Sequence, residues 1–177
     1  MDAVCVFDPL SSFNKGKISG NIEFHQCSID HKTYINIKLK GLPPNTIRGI
    51  HIHEAGDLTD GCKSACQHYN PYNQMHGSIS LYKNERHCGD MCSNIVSDSN
   101  GMVNFSYDDD LISLFGPHSV IGRSVVIHDK QDDLGRYRDE DSELGKGSRT
   151  TGNAGDRIAC SVIGISKNDY HPISYHL

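Results

Sequence analysis

Apolar and polar side chains alternate along several short stretches of the chain. The clearest run is Thr33 to Lys40, where Ile35, Ile37 and Leu39 are separated by more polar residues. A period of two is typical of a strand with one buried face. The other strand candidates are the alternating or short apolar runs 17–24, 49–53, 79–81, 102–107, 124–128 and 158–165.

Turn-forming residues separate these candidates, as in Gly41 to Asn45, Ser97 to Gly101 and Gly116-Pro117. Such residues favour tight reversals of the chain. No amphipathic helix of about ten residues is apparent beside them. Short strands with frequent turns predict an all-β sandwich or barrel.

Two long segments interrupt this pattern, Glu54 to Gly77 and Asp129 to Arg157. Both are weakly apolar. Loops longer than about 12–15 residues are uncommon in compact domains and usually have a function or are disordered. Because both segments border histidine-rich positions, the functional interpretation is favoured.

Composition narrows the class of protein. The chain has 177 residues, a length that favours one domain. Its net charge of −5 argues against nucleic acid or an anionic membrane as the main partner. No apolar run approaches the ~20 residues of a membrane span, and residues 1–8 lack the features of a secretory signal. A cytoplasmic protein is therefore expected, in which the seven cysteines would be mostly free thiols or metal ligands.

Histidine is the residue type that carries candidate chemistry, with 11 in the chain. His51 and His53 stand two apart in a strand candidate, so their imidazoles project from one face. His128 ends another strand candidate and could join this pair. Between them lie three imidazoles and a carboxylate, a combination suited to a tetrahedral zinc site: His68, His76, His87 and Asp90.

Six blocks of sequence closely resemble the copper/zinc superoxide dismutases, in the same order and with similar spacing. The resemblance extends from about Ala3 to Ser166. It implies a Greek-key β-barrel or sandwich, immunoglobulin-like and of about eight strands, with two long functional loops. The blocks are GIHIHEAGD (49–57), HYNP (68–71), HG (76–77), ERHCGD (85–90), IGRSVVIHDKQDDLG (121–135) and TGNAGDRIACSVIGI (151–165).

The resemblance implies two metal ions, copper and zinc, that share one ligand. His68 would bridge the two ions through its two ring nitrogens. Asp132 would hold one ligand from each site, as residues around metal ligands commonly do. Copper would be bound by His51, His53, His68 and His128, and zinc by His68, His76, His87 and Asp90.

The implied reaction converts two superoxide ions to dioxygen and hydrogen peroxide, with His68 as a proton source. Arg157 resembles the arginine that attracts and orients the anion beside copper. Thr151 resembles the residue that narrows the channel together with Arg157. Cys62 and Cys160 match the intrasubunit disulfide of the family, an exception to the expectation of reduced thiols.

The resemblance also suggests how the chain is organised and what it contacts. Residues 1–166 would form the dismutase-like domain, and residues 167–177 a polar C-terminal extension. Besides superoxide, a copper chaperone is a candidate partner. A homodimer is expected through residues that match the family's dimer surface, namely Gly56, Ile121, Gly122, Gly164 and Ile165.

The chain departs from the family pattern in three respects. The segment 136–150 is longer than expected, and Thr150 stands where a lysine is expected, although Lys146 and Arg149 are nearby. Weaker guidance of the substrate anion is therefore expected. Four cysteines lie outside the pattern and are interpreted as free thiols, with metal capture or a second disulfide as alternatives: Cys27, Cys66, Cys88 and Cys92.

Two other functions compete with the enzyme. A chaperone-like or metal-buffering module would have the same fold without turnover, and a scaffold would keep zinc for stability alone. Members of the first kind typically lack copper ligands or the arginine at position 157, and the second would lack a copper site. All of these residues are present here.

Overall fold

The computed structural model describes residues 1–15, 17–82 and 84–167, in which eight strands form one antiparallel sheet. The strand order is β5-β4-β7-β8-β1-β2-β3-β6, and the sheet curves into a nearly closed Greek-key barrel. The strands are β1 (Asp2–Phe7), β2 (Ser19–His25), β3 (Thr33–Lys40), β4 (Ile47–His53), β5 (Ser93–Val96), β6 (Val103–Asp109), β7 (Ser124–His128) and β8 (Arg157–Ile165).

The predicted fold class is confirmed, and the run with the clearest alternation coincides with β3. In β3 the side chains of Thr33, Ile35, Ile37 and Leu39 are buried, as a period of two requires. The strand predicted at 79–81 is wrong, because this segment turns back with the amide of Tyr82 bonded to the carbonyl of Ser78. Neither β1 nor β5 was among the strand candidates.

Aliphatic side chains from both halves of the sheet fill the barrel. In β4 the side chains that point into the barrel are those of Ile50 and Ile52, which are fully buried. The alternate residues of the same strand, His51 and His53, must face the outside of the barrel. They are nevertheless buried, because the two long loops cover this part of the wall.

The two long loops are themselves anchored. The first contains a single-turn 3-10 helix (Gly61–Lys63), whose Cys62 forms a disulfide with Cys160 of β8. The second contains α1 (Glu143–Thr150), an eight-residue helix capped by Ser142. Within the described residues, no helix has the length and apolar character needed to cross a membrane. Residues 168–177, nearly all of the expected extension, lie outside that part of the chain.

A buried ion pair fixes the segment that leads into the second 3-10 turn (Cys88–Asp90). Arg86, which is completely buried, donates to Asp109 of β6 at 2.7 Å and to the carbonyl of His87 at 3.3 Å. Asp109 also accepts from the amides of Leu111 and Ile112. The backbone at His87 is therefore held against the barrel wall.

The substitution Asp109→Asn leaves the Arg86 charge buried without its counter-ion. Removing one partner of a buried pair costs about 3–5 kcal/mol. We expect the free energy of unfolding to fall by that amount in urea titrations of the metal-free protein with its disulfide intact.

The matched control is Glu85→Gln. Glu85 pairs with Arg138 at 2.9 Å, but its side chain is 69% exposed. Exposed pairs contribute roughly 0–1 kcal/mol. Equal losses in the two variants would contradict the anchoring role of the Arg86–Asp109 pair.

Candidate metal centre

Two neighbouring strands provide the rigid base of the site. His51 and His53 lie on β4, which pairs with β7 so that His51 is opposite Val126. His128 is the last residue of β7. All three imidazoles are buried on the outer side of the barrel wall, where the first long loop adds His68. An isolated bridge between His53 and His68 sets the position of that loop.

Four histidines form the first cluster, with one ring nitrogen from each lying within 4.8 Å of the others. Each has a buried ring nitrogen without a hydrogen-bond partner. Such groups are costly to bury, and neutral imidazole nitrogens are good transition-metal ligands. The chemistry of this donor set therefore fits a copper ion. The unpartnered atoms are His51 Nδ1, His53 Nε2, His68 Nε2 and His128 Nε2.

The opposite ring nitrogens are held by hydrogen bonds, which fix how the rings are turned. His53 Nδ1 lies 2.9 Å from the carbonyl oxygen of Cys66. His128 Nδ1 lies 3.1 Å from the carbonyl oxygen of Gly155. These carbonyls come from the two loops, so both loops take part in orienting the cluster.

The second cluster surrounds the carboxylate of Asp90. The Nδ1 atoms of His68, His76 and His87 lie 3.1, 2.9 and 3.1 Å from Asp90 Oδ1. Asp90 Oδ2 is held separately by the amides of Gly77 and His87. His87 Nδ1 lies near Asp90 Oδ1 but is not aligned for a hydrogen bond with it. Three imidazoles and one carboxylate, all buried, fit a closed tetrahedral zinc site.

His68 belongs to both clusters. Its Nδ1 is close to Asp90 in the second cluster, and its Nε2 has no hydrogen-bond partner. The ring centroids of His68 and His51 are 3.9 Å apart. The two ligand sets are thus joined through one imidazole ring.

Asp132 connects the clusters a second time. Its Oδ2 lies 2.6 Å from His51 Nε2, and its Oδ1 lies 3.0 Å from His76 Nε2. The side chain of Asn94 pairs with the backbone N–H and C=O of Asp132, at 2.9 and 3.0 Å. Gly152 makes this approach possible, because a Cβ there would lie 2.4 Å from Asp132 Oδ1. Neither Asn94 nor Gly152 was singled out in the sequence.

His76 differs in protonation from three of the buried imidazoles around it. Burial lowers the pKa of His51, His53 and His68 well below the usual range, so these rings are neutral at pH 7. Burial alone would also lower the pKa of His76, but the carboxylates of Asp90 and Asp132 outweigh it and raise this pKa to about 10. Burial alone would raise the pKa of Asp90, but the nearby imidazoles of His76, His68 and His87 outweigh it and keep this pKa well below its usual range.

Arg157 stands at the edge of the first cluster, opposite His128 in the β7–β8 pairing. Its guanidinium is half-buried and donates to the carbonyl oxygens of Cys62 at 2.7 Å, Lys63 at 3.2 Å and Cys66 at 2.5 Å. The Cys66 carbonyl is the one that also orients His53. The Cys62–Cys160 disulfide, predicted by the resemblance, is present and joins this loop to β8.

Thr151 follows α1 and is half-buried. Its amide and hydroxyl donate to the carbonyl of Gly147, and its carbonyl accepts from the amide of Ala154; in the described part of the chain no hydrogen bond joins it to Arg157. The structure brings all seven candidate metal ligands together with Asp132. The other described histidines are exposed and lie outside both clusters: His25, His31 and His118.

The substitution Asp132→Asn tests the link between the clusters. In asparagine an NH2 group replaces one of the two carboxylate oxygens, so either His51 or His76 loses its acceptor and its fixed orientation. Changes to such supporting groups typically weaken metal binding about 10–100-fold. Competition with chelators of known affinity measures the effect for each metal.

The matched control is Asp133→Asn, which removes a neighbouring loop carboxylate. Asp133 binds Ser148 and Asn153 and contacts neither cluster. Affinities that fall equally in both variants would show a general effect of the loop, and would contradict the role given to Asp132.

Sequence comparisons with known proteins point to the same kind of metal centre. The family model for copper/zinc superoxide dismutase matches residues 18–163. Cu-Zn superoxide dismutase of Saccharomyces cerevisiae is 47% identical over 149 residues, covering 84% of this chain and 91% of that protein. The corresponding protein of Paramecium bursaria Chlorella virus 1 is 42% identical over 156 residues, covering 88% and 78%.

One solved structure is similar to this chain in both fold and sequence. The crystal structure of the clock protein EA4 has a TM-score of 0.78 and 42% sequence identity, covering 93% of this chain and 94% of that one. Together with the paired histidine clusters and the disulfide, these matches show that the chain belongs to the copper/zinc superoxide dismutase family.

Proposed function

We propose that the chain catalyses dismutation of superoxide with copper in the first cluster and zinc in the second. His51, His53, His68 and His128 would hold copper, and His68, His76, His87 and Asp90 would hold zinc. The observation that carries this assignment is the unpartnered nitrogen on each ring of the first cluster, in a site otherwise satisfied by hydrogen bonds. When bound, copper supplies one-electron chemistry that oxidises one superoxide and reduces another, while zinc supplies fixed positive charge.

Arg157 is the residue proposed to attract the anion. Its three carbonyl contacts immobilise the guanidinium beside His53 and His128. A fixed cation in a cleft raises the encounter rate with an anion by about 10–10³-fold, even on a protein with negative net charge. Thr151 remains a proposed boundary of the same channel.

His68 is the residue proposed to handle a proton. Its Nε2 is buried and has no hydrogen-bond partner within the protein, whereas Nδ1 is directed at Asp90. Nε2 is therefore the atom able to hold a proton and release it beside the first cluster. Imidazole suits this role because each of its ring nitrogens can either bind a metal ion or carry a proton.

The proposal extends to assembly and location. Ile165 and Val162 of β8 are exposed apolar residues, 60% and 38% accessible, next to the glycines expected at a dimer surface. An isologous homodimer would cover this face. A copper chaperone as partner and a cytoplasmic location complete the proposal. The five unpaired cysteines of the chain support a reducing compartment.

Zinc uptake by the metal-free protein is expected to depend on pH through His76. Its raised pKa of about 10 means that the ring carries a proton at pH 7, and zinc must displace that proton. Zinc affinity should therefore rise by about tenfold per pH unit between pH 7 and 9, as one proton per ion requires. Titration against a zinc-binding dye measures the slope, and an affinity independent of pH in this range would contradict it.

The function is tested by superoxide consumption in the copper- and zinc-loaded protein. Removal of copper should abolish turnover, while a metal-buffering module or zinc scaffold would show none in either state. The substitution Arg157→Ala should lower the rate at low ionic strength by about tenfold or more and reduce its salt dependence.

Lys38→Ala is the matched control for Arg157→Ala. Lys38 is an exposed cation on β3, so its removal changes net charge equally without altering the cleft. The Lys38 variant should keep its rate within about twofold, as expected for a charge outside the cleft. Equal rates for the parent and the Arg157 variant would overturn the steering role, and an inactive copper- and zinc-loaded parent would overturn the function.

A further inference from the structure

Five cysteines lie outside the disulfide, and three of them are withdrawn from solvent. Cys5 and Cys88 are buried, and Cys92 is largely covered. Burial raises the pKa of each of these thiols to about 12, so almost none is thiolate at pH 7. Cys27 and Cys66 are the exposed free cysteines.

Cys27 differs from Cys66 in having a basic partner. Its Sγ lies 3.4 Å from His25 Nε2, and the other ring nitrogen of His25 is bonded to the carboxylate of Asp2. The three side chains form a thiol–imidazole–carboxylate relay on the surface. A nucleophile next to a base that is oriented by a third group is a recurring arrangement of activated thiols.

The backbone holds this relay in place. Asp2 and His25 are direct cross-strand partners in the β1–β2 pairing. Gln26, between His25 and Cys27, is buried and accepts from the amide of Leu114 at 2.7 Å through its side chain. Because Gln26 is anchored on the inner side, its two neighbours face solvent.

We propose that Cys27 is a peroxide-sensitive thiol, activated by His25 and Asp2, and a site of reversible oxidation to sulfenic acid. Dismutation of superoxide has no need of these residues. The oxidant is hydrogen peroxide, the product of that reaction, so this part of the proposal rests on the proposed function.

The proton of the Cys27 thiol passes to His25 Nε2, and Asp2 stabilises the resulting imidazolium. The thiolate attacks one oxygen of hydrogen peroxide, forming the S–O bond while the O–O bond breaks. The departing hydroxide takes the proton from His25 and leaves as water. Sulfur is oxidised by two electrons, peroxide is reduced, and the product is a sulfenic acid.

Cys66 supplies an internal comparison. In the described chain its Sγ has one hydrogen-bond partner, the carbonyl of Ser64 at 3.6 Å, which can only accept. The guanidinium of Arg157 is nearby, yet its hydrogen bonds go to backbone carbonyls. Cys66 is thus an exposed thiol beside a cation but without a base to remove its proton.

The test treats the metal-loaded protein at pH 7 with limiting iodoacetamide, or with added hydrogen peroxide and dimedone, and quantifies each cysteine peptide by mass spectrometry. Ordinary thiols are only a few per cent thiolate at this pH, so full activation raises reactivity by about tenfold or more. Cys27 should therefore react about tenfold faster than Cys66 in both assays.

His25→Gln removes the base and should bring Cys27 down to the rate of Cys66, while Asp2→Asn should give an intermediate rate. Dismutase activity of each variant should equal that of the parent, which separates this test from the proposed function. Cys27 reacting no faster than Cys66, or unchanged reactivity of Cys27 in His25→Gln, would overturn the proposal.

Discussion

Six imidazoles buried in one region are stable only if their ring nitrogens have partners. Burying an imidazole nitrogen without a hydrogen bond or a metal costs free energy, and this constraint decides the design of the site. One nitrogen of His51, His53 and His128 bonds to a carboxylate or a backbone carbonyl. The other nitrogen of each ring is left facing its neighbours, where a metal ion can supply the missing interaction.

The same constraint explains why the loops are fixed to the barrel. The hydrogen bonds to His53 and His128 come from loop carbonyls, so any movement of the loops would release the rings. The disulfide at Cys62, the contacts of Arg157 and the buried Arg86–Asp109 pair each tie a loop to a strand. The contacts that anchor the loops therefore also fix the orientation of the histidine ligands.

Much of the fold and the ligand set could be predicted from the sequence, and the misses have physical reasons. Alternation identified β3 because one face of it is buried, but β5 has four residues and too few positions to show a period. The role of the Cys66 carbonyl could not be predicted, since every residue has a backbone carbonyl and the sequence does not show which one contacts a ligand. It reaches His53 and Arg157 from a residue in the left-handed region, with φ of 64°.

The proposed centre requires one imidazole, that of His68, to be shared by two different metal ions. Crystals of the copper- and zinc-loaded protein, measured on both sides of each absorption edge, test this directly. We expect copper among His51, His53, His68 and His128, zinc beside Asp90, and the ring of His68 between the two ions. A single metal position, or copper bound at Asp90 with the first cluster empty, would contradict it.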